Sequence, residues 1–179
     1  METEGNKGFI NELISKRLIT SGCGKGASFY RMADVQGQAK IQSQLRISAH
    51  EVFDLVNEFQ HRSQVYRATG GVHSAAFCNT KGILTFSEDI GRHNAIDKVF
   101  GECILTDIPT DDCMIITSGR ITSEILLKVA KRKIPIIISI SAPTNLGVRL
   151  ADDLGITLIG FVRGKRMNVY TNRWRVTAK

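Results

Sequence analysis

The chain has 179 residues, a formal net charge of +7, and a composition that is 42 % hydrophobic and 23 % charged. These values are typical of a soluble globular domain that can bury its own core. The longest apolar run, residues 134–142, is far shorter than the roughly 20 residues of a membrane helix. The N-terminus carries Glu2 and Glu4 and no apolar signal segment. Membrane, secreted and fibrous proteins are therefore disfavoured, and a cytoplasmic location is expected.

The chain divides into two predicted parts. Residues 1–47 are polar and glycine-punctuated, and they predict an N-terminal arm followed by an α/β domain over residues 48–179. Ser48 and Glu51 have the spacing of a helix capping box. Apolar residues then recur at helical spacing and predict a helix over about residues 49–66.

The rest of the chain predicts a hairpin followed by alternating strands and helices. Two β-like runs, 72–79 and 83–87, flank a short turn, and a helix begins after Gly91. Further strands are predicted at 114–117, 136–140, 156–162 and 167–171, with helices at 122–133 and 144–154 between them. Such alternation places parallel strands between covering helices. The predicted fold class is α/β, a three-layer sandwich with a mixed sheet.

Small, hydroxyl-bearing and basic residues follow the predicted strands. Ligands of open α/β sheets bind at the carboxyl ends of strands, where helix N-termini and guanidinium groups recognise anions. The candidate ligand-binding residues are Ser118, Arg120, Ser141, Thr144, Phe161, Arg163 and Arg166. Their pattern favours a nucleotide or a pterin dinucleotide. Helix caps and turns would explain the hydroxyl residues equally well, but not three arginines at one sheet edge.

Three polar residues at the end of the hairpin allow two interpretations. Glu88, Asp89 and His93 are either pocket groups with acid–base capacity or a helix cap with a packing histidine. The hairpin-then-helix order is similar to that of zinc deaminases, but residues 93–95 lack the general-acid glutamate and residues 118–120 lack cysteine. Deamination is therefore disfavoured, and the chain shows no zinc-ligand spacing.

Four cysteines fall into two groups. Cys78, Cys103 and Cys113 have apolar neighbours and are expected to be buried. Cys23 lies instead among Gly22, Gly24, Lys25 and Gly26. A thiolate in a bendable loop beside a lysine suits a persulfide carrier, although a lone loop cysteine, taken by itself, favours an inert role.

Five segments together resemble the FdhD/NarQ family, the formate dehydrogenase accessory sulfurtransferases. The similarity runs from about residue 18 to residue 172, and its motifs are residues 69–73, 88–98, 117–120, 141–144 and 160–171.

This resemblance implies a cytidine-deaminase-like fold without a zinc site. It also implies that a persulfide passes from a cysteine desulfurase through Cys23 to the molybdenum bis-molybdopterin guanine dinucleotide cofactor of formate dehydrogenase. That cofactor would be a bound client, with a guanine nucleotide as its mimic and no metal of the protein's own. The family's cofactor-binding segment corresponds to Phe161, Val162, Arg163, Gly164, Lys165 and Arg166. Expected partners are the desulfurase and formate dehydrogenase, and the family is compatible with a homodimer.

Two departures leave alternatives open. The family commonly carries a C-G-x-C pair, whereas Gly26 here replaces the second cysteine, and only 22 residues precede Cys23. Either Cys23 works alone or the protein is a cofactor-binding chaperone without sulfur transfer. Nucleic-acid binding through the basic stretch 163–179, with Tyr170 and Trp174, is a third reading that no recognised module supports.

Overall fold

The computed structural model describes residues 40–110 and 112–178, so Cys23 and most of the predicted arm lie outside the described residues. The five described α-helices are α1 (Ala49–Arg62), α2 (Gln64–Thr69), α3 (Arg92–Leu105), α4 (Ser123–Lys131) and α5 (Asn145–Asp153). The strands are β1 (Ile47–Ser48), β2 (His73–Asn79), β3 (Gly82–Asp89), β4 (Met114–Thr117), β5 (Ile136–Ser139), β6 (Thr157–Arg163), β7 (Arg166–Val169) and β8 (Val176–Thr177).

Six strands form one mixed sheet in the order β3-β2-β4-β5-β6-β7. The β2–β3 hairpin is antiparallel to β4, whereas β4, β5 and β6 run parallel, and β7 returns antiparallel at the edge. The predicted hairpin, the βαβαβ alternation and the mixed α/β class are therefore confirmed. The likeness to cytidine deaminases and the lack of a zinc site stay predictions.

Helices cover both faces of this sheet. On one face, α1 buries Val52, Leu55, Val56 and Phe59 against alternate residues of β2, β4, β5 and β6. The intervening strand residues, such as Phe77, Ile115 and Ile137, are also fully buried and point to the opposite face. Helix α3 contacts β2 and β3, and α5 contacts both α4 and β6. Three layers result, with strands that are buried on both sides.

The predicted helix over residues 49–66 is two helices. Its N-terminus has the predicted capping box, because Ser48 Oγ accepts a hydrogen bond from the Glu51 amide and Glu51 returns one to the Ser48 amide. At Ser63 the backbone leaves the helical region, with φ −74° and ψ 63°. Both the amide and the hydroxyl of Ser63 donate to the Phe59 carbonyl, and this side chain–backbone bond competes with continuation of the helix.

The segment before residue 48 packs as part of the α/β unit. The Ile41 amide donates to the Leu154 carbonyl, Ile47 is buried, and β1 pairs in parallel with β8. The division proposed between residues 47 and 48 therefore cuts through packed structure, since residues 41–47 contribute backbone pairs and core to this unit.

A buried arginine holds this segment. Arg175 is 1 % exposed, and its guanidinium donates to the carbonyls of Gly155, Ile41 and Ser43 and to the Thr157 hydroxyl. Its guanidinium carbon also lies 4.3 Å from the centroid of the Trp174 ring. Burial lowers the pKa of Arg175. No carboxylate of the described residues forms an ion pair with it. Its positive charge is instead stabilised by the carbonyl oxygens to which it donates.

Replacing Arg175 with methionine is predicted to lower the free energy of unfolding by about 2–4 kcal/mol, because several buried carbonyls lose a charged donor. Chemical denaturation measures this loss. Arg173 is the matched control, since it is exposed and makes a single bond to the Val169 carbonyl. Arg173→Met is expected to cost less than about 1 kcal/mol. Equal losses in both variants would contradict the anchoring role of Arg175.

Candidate functional site

The carboxyl ends of the central strands meet at one edge of the sheet. Because β4, β5 and β6 are parallel, the segments that follow Thr117, Ser139 and Arg163 emerge on the same side. The antiparallel hairpin brings the start of β2 and the end of β3 to this side, with His73 opposite Asp89 and Ala75 opposite Thr117. Most of the predicted site residues belong to this edge.

The loops after β4 and β5 are joined by backbone hydrogen bonds. The Ile121 amide donates to the Ala142 carbonyl at 3.2 Å, and the Thr144 amide donates to the Ile121 carbonyl at 2.9 Å. Ser139 Oγ donates to the Gly119 carbonyl at 2.8 Å. A Cβ at Gly147 would lie 2.9 Å from the Ile121 carbonyl oxygen, so only glycine permits this approach. Ser118 and Thr144 are thereby held on one rim.

The end of β6 joins the same rim through a bulge. The Phe161 amide donates to the Ser141 carbonyl at 3.1 Å, and the β6–β7 register shifts between Gly160 and Arg163. Phe161 has φ +53°, an uncommon conformation for a bulky residue, and its side chain is 40 % exposed while Val162 is buried. The strained backbone turns the aromatic ring toward solvent beside the Ser141–Thr144 loop.

The β6–β7 hairpin carries the basic part of the predicted segment. Gly164 takes the left-handed conformation, with φ +56°, that closes this tight turn. Arg163, Lys165 and Arg166 are exposed, and Arg163 stands directly opposite Arg166 in the register. Within the described ranges, no carboxylate lies at ion-pair distance from these three side chains or from Arg120.

The β4 end of the rim is polar and cationic. Ser118 is buried, and its Oγ accepts a hydrogen bond from the Ser74 amide at 2.9 Å and lies 3.4 Å from His73 Nδ1. Burial is the main cause that lowers the pKa of His73, and the charges of Arg92 and Arg120 lower it further. His73 is therefore mostly neutral at pH 7. Arg120 lies close enough to His73 for its charge to act on that ring.

Glu88 and Asp89 both have structural partners. The Glu88 carboxylate accepts from the amides of Val65 and Tyr66 and from Ser74 Oγ, so it holds the first turn of α2 against β3. Asp89 pairs with Lys98 at 2.6 Å and accepts from the Gly91 amide. The hydrogen bond from Lys98 is the main cause that lowers the pKa of Asp89 to about 2. This geometry favours the capping interpretation of the acidic pair over acid–base chemistry.

His93 joins the two helices that begin at the rim. Its Nε2 lies 3.3 Å from Glu124 Oε2, and the pair links the first turn of α3 to that of α4. Burial, and then the charge of Arg92, lowers the pKa of His93. Arg92 packs tightly on Gly119, where an added Cβ would lie 2.8 Å from Arg92 Cβ. Sequence reasoning missed Arg92 and Glu124, because only the meeting of two helix starts brings them together.

A cavity of about 290 Å³ also escaped the sequence analysis. It opens beside Ser118 and Ile140, beneath the turn between α1 and α2. A signal for it in the sequence is Tyr66, an aromatic residue in a largely polar stretch. Tyr66 is 36 % exposed in the structure.

The three cysteines among the described residues lie in the core. Cys78, Cys103 and Cys113 are buried, as predicted, and burial raises the pKa of the Cys78 thiol. Cys23 lies outside the described residues. Among the described residues, no helix is both long and apolar enough to cross a membrane.

The fold and this rim define an α/β-sandwich protein with a cationic, hydroxyl-lined sheet edge. A model of the FdhD/NarQ family matches residues 1–177, and the chain belongs to this family. Curated relatives called "Sulfur carrier protein FdhD" are 46 % identical over 169 residues in Bacillus pumilus and 47 % identical over 162 residues in Bacillus subtilis. These matches cover 94 % and 90 % of this chain but only 64 % and 62 % of the relatives.

A solved structure agrees with the fold. The crystal structure of a formate dehydrogenase accessory protein from Desulfotalea psychrophila is 32 % identical in sequence and superposes with a TM-score of 0.74. The match covers 82 % of this chain and 61 % of that chain. The family resemblance read from the motifs is confirmed.

The lowered pKa values of His73 and His93 predict that the protein is less stable in mild acid. Because the folded-state pKa values of His73 and His93 lie below the ordinary 6.5, their contribution is complete above pH 6.5 and is lost as the pH falls through the folded values. The free energy of unfolding should therefore decrease on going from pH 7 to pH 5.

Denaturation of wild type and two variants across this range measures the effect. A His73→Gln, His93→Gln double variant should show a smaller decrease than wild type. His50→Gln is the control, since the His50 side chain is 83 % exposed, and it should retain the wild-type decrease. An unchanged slope in the double variant would contradict the assignment.

Proposed function

We propose that this protein carries sulfur for maturation of the bis-molybdopterin guanine dinucleotide cofactor of formate dehydrogenase, in the cytoplasm. It accepts a persulfide from a cysteine desulfurase on Cys23 and binds the molybdenum cofactor as its client. The observation that carries the proposal is the continuous rim from Ser118 to Phe161, flanked by four cations without carboxylate partners in the part of the chain the structure describes. The sulfur-carrier role is supported by the names of the curated relatives.

The rim suits a ligand that bears phosphates. Arg163 and Arg166 are opposite one another in an antiparallel pair, where like charges destabilise the strands unless an anion lies between them. Guanidinium forks match phosphate oxygens bidentately, and Lys165 adds a further positive charge. Backbone amides of Ser118 and Gly119 are already bonded within the fold, so the side chains and the start of α5 supply the remaining donors. In this proposal a guanine nucleotide mimics part of the client.

The exposed Phe161 ring gives the ligand a flat apolar surface. Phe161 lies beside the loop of residues 141–144 and two residues before Arg163, so an aromatic ring and a guanidinium group occur close together in the chain. A bulky residue with a positive φ costs about 1–3 kcal/mol of conformational free energy, and such strained residues are concentrated at functional sites. Phe161, Ser141 and Thr144 therefore border the rings of the client in our proposal.

The sulfur step requires a single thiolate. The Cys23 thiolate attacks the terminal sulfur of the donor persulfide, the donor S–S bond breaks, and the donor leaves as a thiolate. Cys23 then holds the sulfur as a persulfide. On delivery a nucleophilic acceptor atom supplies the electron pair of a new bond to the terminal sulfur, the S–S bond of the Cys23 persulfide breaks, and Cys23 leaves as a thiolate. No second cysteine is needed, so Gly26 is compatible with this step.

A cofactor-binding chaperone is the alternative, favoured by the glycine at position 26 where the family commonly has its second cysteine. Cys23→Ser separates the two functions. A carrier loses its support of formate dehydrogenase while nucleotide affinity persists, whereas a chaperone retains both.

Incubation with a cysteine desulfurase and cysteine is predicted to add one sulfur atom, about 32 Da, to Cys23 as its persulfide. Alkylation followed by mass spectrometry locates the adduct. Cys113→Ser is the control, because Cys113 is buried and its loss should leave the adduct unchanged. A folded sample without an adduct on Cys23 would reject sulfur transfer by this protein.

Replacing Arg163 and Arg166 together with alanine is predicted to weaken binding of GDP at least tenfold, because both phosphate donors are lost. Isothermal titration at low and high salt measures the change and should show a reduced salt dependence in the variant. Arg149→Ala is the matched control, as Arg149 is an exposed arginine on α5. A loss of affinity shared by the control would indicate general charge attraction and contradict a phosphate site on the hairpin.

A further inference from the structure

Strand β7 has an open edge in the described part of the chain. It pairs with β6 on one side, and no other strand of the described residues pairs with it. A groove of about 540 Å³ is lined by Met167, Asn168, Val169, Tyr170, Arg173 and Val176. Since no residue of β6 lines this groove, it lies on the side of β7 that faces away from β6. The function proposed above uses none of the six lining residues.

The register of β7 determines which of its main-chain groups face the groove. The Tyr170 amide donates a hydrogen bond to the Leu158 carbonyl of β6 at 2.9 Å. Residues of an antiparallel pair alternate between those that bond to the partner strand and those whose amide and carbonyl groups point away from it. Asn168 and Tyr170 therefore bond to β6, whereas Met167 and Val169 direct their main-chain groups toward the groove.

A side-chain contact agrees with this register. Arg173 Nε donates to the Val169 carbonyl at 3.1 Å, which requires that carbonyl to point away from β6. The Val169 amide and both main-chain groups of Met167 then lie on the edge where an extended chain can pair with them. Partner proteins bind to exposed sheet edges in this way, with main-chain hydrogen bonds giving affinity and alternate side chains giving specificity.

The two faces of the edge differ in chemistry. Met167 and Val169 are partly buried and pack against the core, as does Val176. Asn168 lies on the other face, where its side-chain amide donates to the Tyr170 hydroxyl at 3.4 Å. Because side chains alternate along a strand, an added strand would place every second residue beside the apolar group and the others beside the polar one. The groove therefore suits a segment in which apolar and polar residues alternate.

Charge determines which polar residues suit the groove. Arg166 shares the face of Asn168, because the two lie two positions apart on β7, and Arg173 crosses the edge at Val169. Neither arginine has a carboxylate partner among the described residues. Residues 163–178 include five basic residues and no acidic one, so a second copy paired through the same edge would bring like charges together. An acidic segment would neutralise them.

We infer that the open edge of β7 is a docking site for an extended, acidic segment of a partner protein, which adds to the six-stranded sheet as a further strand. Acidic residues of this segment lie beside Arg166 and Arg173, and its apolar residues lie beside Met167 and Val169. The inference does not depend on the proposed cofactor, because the groove-lining residues lie outside the rim. A protein docked here stands next to the β6–β7 hairpin and its basic residues.

A peptide of about six residues, the usual length of a strand, with alternating glutamate and valine is the probe. Added to the full chain, it should slow exchange of the Met167 and Val169 amide hydrogens at least tenfold, as measured by NMR. The Asn168 and Tyr170 amides are the internal control, because they bond to β6 and should exchange slowly with and without the peptide. A lysine–valine peptide of the same length should leave all four rates unchanged.

Arg173→Glu is predicted to weaken binding of the glutamate–valine peptide at least tenfold, because it replaces an attractive charge in the groove with a repulsive one. Fluorescence titration of a labelled peptide measures the change. Arg149→Glu is the matched control, since Arg149 is an exposed arginine on α5 outside the groove lining, and it should keep the wild-type affinity.

Three results would overturn the inference. The first is exchange at Met167 and Val169 that is as slow as at Asn168 before any peptide is added, since the edge would then be covered by this chain itself or by a second copy. The second is equal binding of the lysine–valine peptide, and the third is peptide binding that Arg173→Glu leaves unchanged. Wild type that binds GDP but not the glutamate–valine peptide would reject this docking site and leave the proposed function intact.

Discussion

The backbone pairing between the loops that follow β4 and β5 is the constraint on which the rest of the candidate site depends. Ile121 bonds through both its amide and its carbonyl to residues 142 and 144, and the Phe161 amide then bonds to Ser141. Three strand ends are thereby joined by main-chain hydrogen bonds, which no side-chain substitution removes directly. Gly147 is required because a Cβ at this position would lie 2.9 Å from the Ile121 carbonyl oxygen. The rim is consequently a rigid base from which variable side chains project.

Two charged side chains, Glu88 and Arg175, fix the elements on either side of this rim. On one side, Glu88 binds the first amides of α2 and so keeps the cavity wall over the strand ends. On the other, the buried guanidinium of Arg175 binds carbonyls of residues 41, 43 and 155 and fixes the segment that leads into the α/β unit. Each of them uses a charged group to satisfy several backbone groups at once, and such charge-assisted hydrogen bonds are stronger than neutral ones. The position of the described N-terminal segment is therefore coupled to the sheet through side-chain contacts of Arg175.

Periodicity and residue type predicted much of the fold, because the strands are buried on both faces and read as continuous apolar runs. Strand-end reasoning also predicted that Ser118, Ser141, Thr144 and Phe161 belong to one edge, since parallel strands leave no other arrangement. The break at Ser63 was not predictable. Its cause is partly tertiary, as the continuation of the chain is fixed by Glu88, which lies 23 residues beyond Val65. The cavity, Arg92 and Glu124 were missed for the same reason: they arise where separate elements meet.

The distribution of ion pairs explains why the positive charge collects at the rim. The carboxylates near this edge are engaged elsewhere: Asp89 with Lys98, Glu124 with His93, Asp97 with Lys128, and Glu88 with backbone amides. These contacts join α2 and α3 to the end of β3, and α3 to α4. In the described chain no acidic partner remains for Arg120, Arg163, Lys165 and Arg166. A cluster of cations on a rigid edge raises the local potential and concentrates anions there. The same contacts that stabilise the helices around the rim thus leave its positive charge without a carboxylate partner among the described residues.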